Sequence, residues 1–153
     1  MTMAFLINGK TFDMSRVDVE MRVGQTELWE IQNPTDMDHP FHIHGTQFQV
    51  VEVERSGRIS KPAYRAWKDT INVARGETVR IAVCQQLPGL RMYHCHILEH
   101  EDRHDGNLEC GCLTIPRGGR RQESASLEPN HCETRSWVRV MSCAAVSPET
   151  GGR

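Results

Sequence analysis

Short stretches in which apolar and polar residues alternate run through most of the first 115 positions. The clearest spans residues 17–23, where Val17, Val19, Met21 and Val23 alternate with charged side chains, so we expect a half-buried strand there. Similar stretches lie at 27–32, 48–54, 70–73, 78–83 and 91–96. Glycine, proline and asparagine turns separate them. The pattern predicts an all-β protein built as an antiparallel sandwich.

The N-terminal part carries a strong hairpin signal. Asn8-Gly9 is flanked by Phe5-Leu6-Ile7 and Lys10-Thr11-Phe12. Both turn residues tolerate positive φ, which a two-residue hairpin turn requires. We therefore expect a tight hairpin at Asn8-Gly9.

The character of the chain changes after Ile115. Residues 117–124 are polar and rich in glycine, and no sustained period follows them. We therefore predict one folded domain at 1–115 and a mostly disordered, poorly structured tail at 116–153. The one apolar segment of that tail, 137–146, is a candidate for docking on the sandwich.

Composition excludes several classes of function. The chain has 153 residues and a net charge of −2, which gives no electrostatic basis for binding nucleic acid. No apolar run has the length of a transmembrane helix, so we expect no membrane insertion. The first residues lack the basic region of a signal peptide, and the localisation stays open.

The six cysteines do not form an obvious disulfide framework. Cys95 belongs to a histidine-rich motif, which leaves an odd number of others. Cys84 lies in an alternating stretch and is expected to be a small apolar side chain. The cysteines therefore leave the redox compartment undecided.

Two motifs concentrate metal-binding side chains. One is His94-Cys95-His96-Ile97-Leu98-Glu99-His100, and the other is His39-Pro40-Phe41-His42-Ile43-His44. Together they contain six of the eight histidines. Imidazole and thiolate donors favour copper or zinc over magnesium or calcium. The paired Cys-x-x-Cys spacing of structural zinc sites is missing from the sequence, so the motifs favour copper.

The spacing within the motif His94-Cys95-His96 predicts two sites. In a strand, successive side chains point to opposite faces, so His94 and His96 would face one way and Cys95 the other. One short strand could then serve two metal sites on its opposite sides.

These motifs resemble the last two copper motifs of the multicopper oxidases, the laccase-like family, and the similarity extends over about residues 4–113. The resemblance implies a C-terminal cupredoxin domain, which is a Greek-key β-sandwich. It also implies copper ligands by position. The implied type 1 ligands are His39, Cys95 and His100; the implied type 2 ligand is His42, and the implied ligands of the type 3 pair are His44, His94 and His96.

Two acidic positions follow from the same resemblance. Glu101 matches a residue that helps to deliver protons for oxygen reduction, and we expect it to be catalytic. Asp105 occupies the position of the weak axial ligand of the type 1 site, where the family has methionine or an apolar residue. A carboxylate there would favour Cu(II) and lower the reduction potential.

The resemblance implies a copper-dependent oxidoreductase. Such an enzyme couples one-electron oxidation of a phenol, an aromatic amine or a metal ion to reduction of molecular oxygen to water. The family builds its trinuclear cluster from four His-x-His motifs and this chain has two, so a second cupredoxin domain or subunit is expected, including a second copy of this chain. The alternatives are a stand-alone mononuclear cupredoxin, which carries electrons or holds copper, and a non-functional truncated product.

Overall fold

The computed structural model describes residues 6–13, 15–97, 110–114 and 137–141. Within them the chain forms strands β1 to β11: Val19–Glu20, Thr26–Gln32, His39–Ile43, Phe48–Arg55, Arg58–Ser60, Trp67–Lys68, Thr70–Val73, Glu77–Cys84, Arg91–Cys95, Cys110–Thr114 and Trp137–Met141. None of these described residues belongs to a helix long and apolar enough to cross a membrane.

The strands form two sheets. One has the order β1-β10-β9-β3-β7, and the other has the order β11-β2-β8-β4-β5, with β6 also paired to β4. Most neighbouring strands are antiparallel, whereas β1 with β10 and β11 with β2 are parallel. The predicted all-β, two-sheet sandwich is confirmed.

The core lies between the sheets and follows from the alternation along each strand. In β2, every second residue is buried, including Trp29 and Ile31. The opposite sheet contributes Phe41 and Ile43 from β3 and Tyr93 from β9. Trp29 contacts Tyr93 edge-on, with ring centroids 5.5 Å apart. Large rings from both sheets therefore close the core beside the histidine motifs.

The predicted hairpin at Asn8-Gly9 is confirmed. The strand predicted at 17–23 is wrong in its length, because the strand observed there is shorter. Asn8 and Gly9 have φ of 52° and 73°, and Ile7 pairs with Lys10. At 17–23, only Val19–Glu20 forms a strand, which pairs with β10. The chain then turns away from the sheet, because Gly24 N donates to the carbonyl of Gln85. Alternation alone could not reveal that pairing ends there.

One segment of the C-terminal region joins the sandwich. Strand β11 pairs along its whole length with β2, and Val140 is fully buried in the core. It coincides with the apolar segment that was a candidate for docking, so the expected disorder does not apply to these five residues. The remainder of 116–153 lies outside the described residues, and the domain boundary at 115 stays a prediction.

Candidate metal centre

The pairing of β3 with β9 brings the two histidine motifs together. His42 is the register partner of His94, and Phe41 is the partner of Cys95. One further hydrogen bond, from His96 N to the carbonyl of Pro40 at 2.7 Å, continues the ladder past the end of β9. Two stretches separated by about fifty residues in sequence therefore form one antiparallel pair.

His39 and Cys95 lie together on the core side of this pair. His39 Nδ1 is 3.4 Å from Cys95 Sγ, and each residue is only 2% exposed. A buried imidazole beside a buried thiol combines the donor types that copper prefers. This pair would form part of a water-poor metal site.

Four imidazoles gather on the other side of the same strands. His42, His44, His94 and His96 make ring contacts with centroids 4.9 to 5.4 Å apart. One ligand nitrogen from each of His42, His44 and His94 lies within 4.8 Å of the others, which is a spacing that could hold a metal ion. His94 is buried and His96 is exposed, so this imidazole cluster opens toward the surface. The predicted opposite facing of Cys95 and its two neighbours is confirmed.

Main-chain carbonyls orient two rings of the imidazole cluster. His42 Nδ1 lies 2.9 Å from the carbonyl of Asp69, and His94 Nδ1 lies 2.9 Å from the carbonyl of Cys95. A carbonyl only accepts, so Nδ1 carries the proton in both rings, and Nε2 carries the lone pair that a metal would use. Thr70 Oγ1, also 2.9 Å from His42 Nδ1, lies beside the same ring.

His44 and His94 share a direct contact within the cluster. Their Nε2 atoms are 2.8 Å apart. Because the proton of neutral His94 is on Nδ1, its Nε2 accepts and His44 Nε2–H donates. Binding of a metal by both nitrogens would require that proton to leave Nε2, so His44 would have to carry its proton on Nδ1 instead.

Asp38 anchors the segment that leads into His39. Its carboxylate accepts from Arg75 N and from Asn72 Nδ2, both at 2.9 Å. The hydrogen bond from Arg75 N, followed by the one from Asn72, lowers the pKa of Asp38 below its usual range. An ionised Asp38 therefore ties the start of β3 to the turn after β7.

Three predicted site residues lie outside the described part of the chain: His100, Glu101 and Asp105. Their roles stay predictions. The structure also shows polar residues around His39 and His42 that the sequence did not reveal, namely Asn33, Thr35, Asp69 and Thr70. In the sequence, Asn33-Pro34 indicates only a turn after the stretch 27–32. The contacts of Asn33 with the site depend on how the following loop folds.

Comparison with known proteins identifies the family. A family model described as multicopper oxidase matches residues 1–104. The chain belongs to the multicopper oxidase family. It is 47% identical over 100 residues to a multicopper oxidase of Staphylococcus aureus, and this match covers 63% of the chain and 22% of that protein. It is 40% identical over 98 residues to a laccase of Bacillus subtilis, which covers 53% of the chain and 19% of that protein.

Solved structures give the same result for the fold. A multicopper oxidase from Campylobacter jejuni described as a metallo-oxidase superposes with a TM-score of 0.66 at 44% identity, over 72% of this chain and 22% of that one. The chain spans about a fifth of the length of these multicopper oxidase relatives. It corresponds to their C-terminal cupredoxin domain, so the cupredoxin-like sandwich expected from the sequence is confirmed.

The side chains present fit copper. Imidazole nitrogens suit Cu(II), and a thiolate suits Cu(I), so a metal that cycles between the two states matches a site containing His39 and Cys95. The imidazole cluster offers nitrogen donors, and two of its members, His94 and His96, flank Cys95 in the sequence. The donor chemistry of both sides therefore agrees with the copper implied by the family.

Proposed function

We propose that this chain is the copper-binding part of a laccase-like oxidase that couples one-electron oxidation of small reducing substrates to reduction of molecular oxygen. The carrying observation is the arrangement around β9. Cys95 faces buried His39, while the flanking His94 and His96 join His42 and His44 on the opposite side. A protein that holds a single metal ion has no need of this second set of imidazoles.

Each side of the strand pair has a separate task. Copper bound here would accept single electrons from a phenol, an aromatic amine or a metal ion and deliver them to oxygen. His39, Cys95 and His100 would bind the type 1 ion, and burial of the first two excludes water from it. The backbone from Cys95 to His94 and His96 gives the shortest covalent connection between the two sides.

The imidazole cluster supplies half of a trinuclear site. His42 would bind the type 2 ion, and His44, His94 and His96 would bind the type 3 pair. These rings lie on a partly open face, which leaves room for imidazoles from a second cupredoxin domain or a second copy of the chain. Glu101 would relay protons to oxygen, and Asp105 would be a weak ligand of the type 1 copper; both roles rest on the family resemblance.

Copper analysis tests this function most directly. The full chain is purified with copper supplied, and the metal content, the visible spectrum and oxygen uptake with a phenolic donor are measured on one sample. About two copper ions per chain, with an intense visible band, are expected for half of a shared four-copper assembly. One ion without oxygen uptake would identify an electron carrier, and a chain without copper would overturn the proposal.

A second copy as partner has its own test. Light scattering at neutral pH, with and without copper, reports whether metal drives association of the chain. We expect a copper-dependent dimer that weakens in acid, because protonated imidazoles repel one another and do not bind metal. A copper-loaded monomer would exclude self-assembly and leave a different domain or subunit as the partner.

A further inference from the structure

A short hydrogen-bonded chain runs from the core to the outer edge of the His39 ring. It begins at Asn33, which is 1% exposed. Asn33 Nδ2 donates to the carbonyls of Met37 at 2.8 Å and Val73 at 2.9 Å. Two carbonyl partners fix which end of the amide is nitrogen, so the other end, Oδ1, can only accept.

Thr35 connects that amide to the metal centre. Asn33 Oδ1 accepts from Thr35 N at 3.0 Å and lies 2.7 Å from Thr35 Oγ1. Two oxygens at this distance require a proton between them, and only the threonine hydroxyl has one to give. The hydroxyl proton of Thr35 therefore points at Asn33.

The orientation of that hydroxyl fixes the tautomer of His39. Thr35 Oγ1 is 2.9 Å from His39 Nε2. Because the hydroxyl proton is committed to Asn33, the oxygen accepts on this side and His39 donates from Nε2–H. Neutral His39 then carries its lone pair on Nδ1, which is the atom 3.4 Å from Cys95 Sγ.

His39 thus differs from the rings of the imidazole cluster. His42 and His94 hold their protons on Nδ1 against main-chain carbonyls and present Nε2. His39 faces the core side of β3 and presents Nδ1. Its protonated nitrogen meets a side chain rather than a carbonyl, so its orientation depends on residues that can be substituted.

We propose that Thr35, held in place by Asn33, is a positioning residue that fixes the His39 tautomer and the ring angle at the type 1 side of the centre. It acts through its hydrogen bond with His39. The inference uses the proposed copper function only for the role of His39 as a ligand. The hydrogen-bond chain itself belongs to the metal-free protein and can be measured there.

The test is long-range proton–nitrogen NMR of the metal-free, ¹⁵N-labelled full chain at about pH 8, which is above the ordinary pKa of a histidine side chain. The parent should show His39 with protonated Nε2 and unprotonated Nδ1. Thr35→Val keeps the shape but has no hydroxyl, so the two ring resonances should move toward those of an unrestrained imidazole. Thr35→Ser restores the hydroxyl and should return them. Thr26→Val, in β2, is the matched control and should change neither resonance.

Copper affinity and the visible spectrum provide an independent test of this role of Thr35. Loss of an outer partner of a metal-bound histidine typically costs about 10–100-fold in metal affinity. Thr35→Val should lower the copper affinity of the His39 site by that factor and shift its visible band. Thr35→Ser should restore both. A purely structural role would lower the unfolding midpoint and leave the His39 resonances unchanged.

The NMR result separates this inference from the proposed function. If Thr35→Val keeps the parent tautomer of His39, the positioning role is wrong, whatever the copper content. If the tautomer changes but no copper binds to any variant, the hydrogen-bond chain stands and the copper function is overturned. Should Thr35→Val fail to fold, Thr35→Ala gives the same comparison, because it also removes the hydroxyl.

Discussion

His39 Nδ1 lies 3.4 Å from Cys95 Sγ, although 56 residues separate them along the chain. The contact exists because β3 pairs with β9, which places the start of one strand beside the end of the other. Both side chains are buried, while His42, His44, His94 and His96 lie together on the opposite side of the strand pair. The Cys95 and His39/His42 substitutions below test this division into two sides.

Replacement of Cys95 by serine should abolish the intense visible absorption of the copper-loaded protein. Serine keeps the size of the side chain, but its hydroxyl is a weak donor that cannot give thiolate-to-copper charge transfer. Absorption spectra at equal copper content provide the measurement. Cys84→Ser is the matched control and should leave the band intact. A band that survives Cys95→Ser would assign the thiolate ligand to another cysteine.

His39→Ala and His42→Ala should affect different copper ions. The two rings lie on opposite sides of β3, so each substitution removes a donor from one site and leaves the other donor set in place. His39→Ala should lose the visible band and keep copper at the imidazole cluster. His42→Ala should keep the band and lose cluster copper. Spectra combined with metal analysis distinguish them; identical losses in both variants would mean one common site.

Arg80→Met should destabilise the fold by about 2–4 kcal/mol. The guanidinium of Arg80 binds Glu30, Glu52 and Glu54 at 2.7 to 2.9 Å, and these partners span strands β2 and β4 on either side of β8. The hydrogen bond with Glu30 contributes most to raising the pKa of Arg80, followed by the one with Glu52, so Arg80 stays charged. This loss of folding free energy is smaller than for a fully buried network, because Glu54 is partly exposed.

Chemical denaturation measures this effect, and two variants serve as controls. Arg80→Lys keeps the charge but not the planar fork, so it should lose less stability than Arg80→Met. Glu30→Gln added to Arg80→Met should recover part of the loss, since it removes one of three neighbouring negative charges. An Arg80→Met protein as stable as the parent would show that solvent replaces the guanidinium at no cost.

Glu27→Gln should make the folding stability of the protein less dependent on pH. Burial raises the pKa of Glu27 above its ordinary value of 4.5, and the hydrogen bond from Trp29 Nε1 only partly opposes this. A raised folded-state pKa means that the stabilising contribution is full below the ordinary value and is lost as the pH rises through the folded value. Glutamine can accept the same hydrogen bond and does not ionise.

Denaturation of parent and variant across a pH series measures the effect. The stability of Glu27→Gln relative to the parent should increase as the pH rises from about 4.5. Glu20→Gln, on β1, controls for removal of a carboxylate elsewhere. A stability difference between Glu27→Gln and the parent that is constant with pH would contradict the raised pKa.

Several features of this protein follow from the sequence alone because they depend on local geometry. The two-residue period of a strand is enough to place Cys95 opposite His94 and His96, and the Asn8-Gly9 turn needs only residues that accept positive φ. The motif spacing also carried the family resemblance, which the comparisons confirmed. The ligand roles of His100, Glu101 and Asp105 stay predictions.

Other features were decided only by the tertiary structure. Val17–Val23 alternates perfectly, yet pairs with β10 at two positions alone, and Trp137–Met141 becomes a strand because the edge of β2 is available to it. The hydrogen-bond chain from Asn33 through Thr35 to His39 depends on a loop whose shape no period encodes. Sequence patterns report which face a residue occupies, whereas partners and tautomers depend on contacts between distant segments, and these form only when the two sheets pack together.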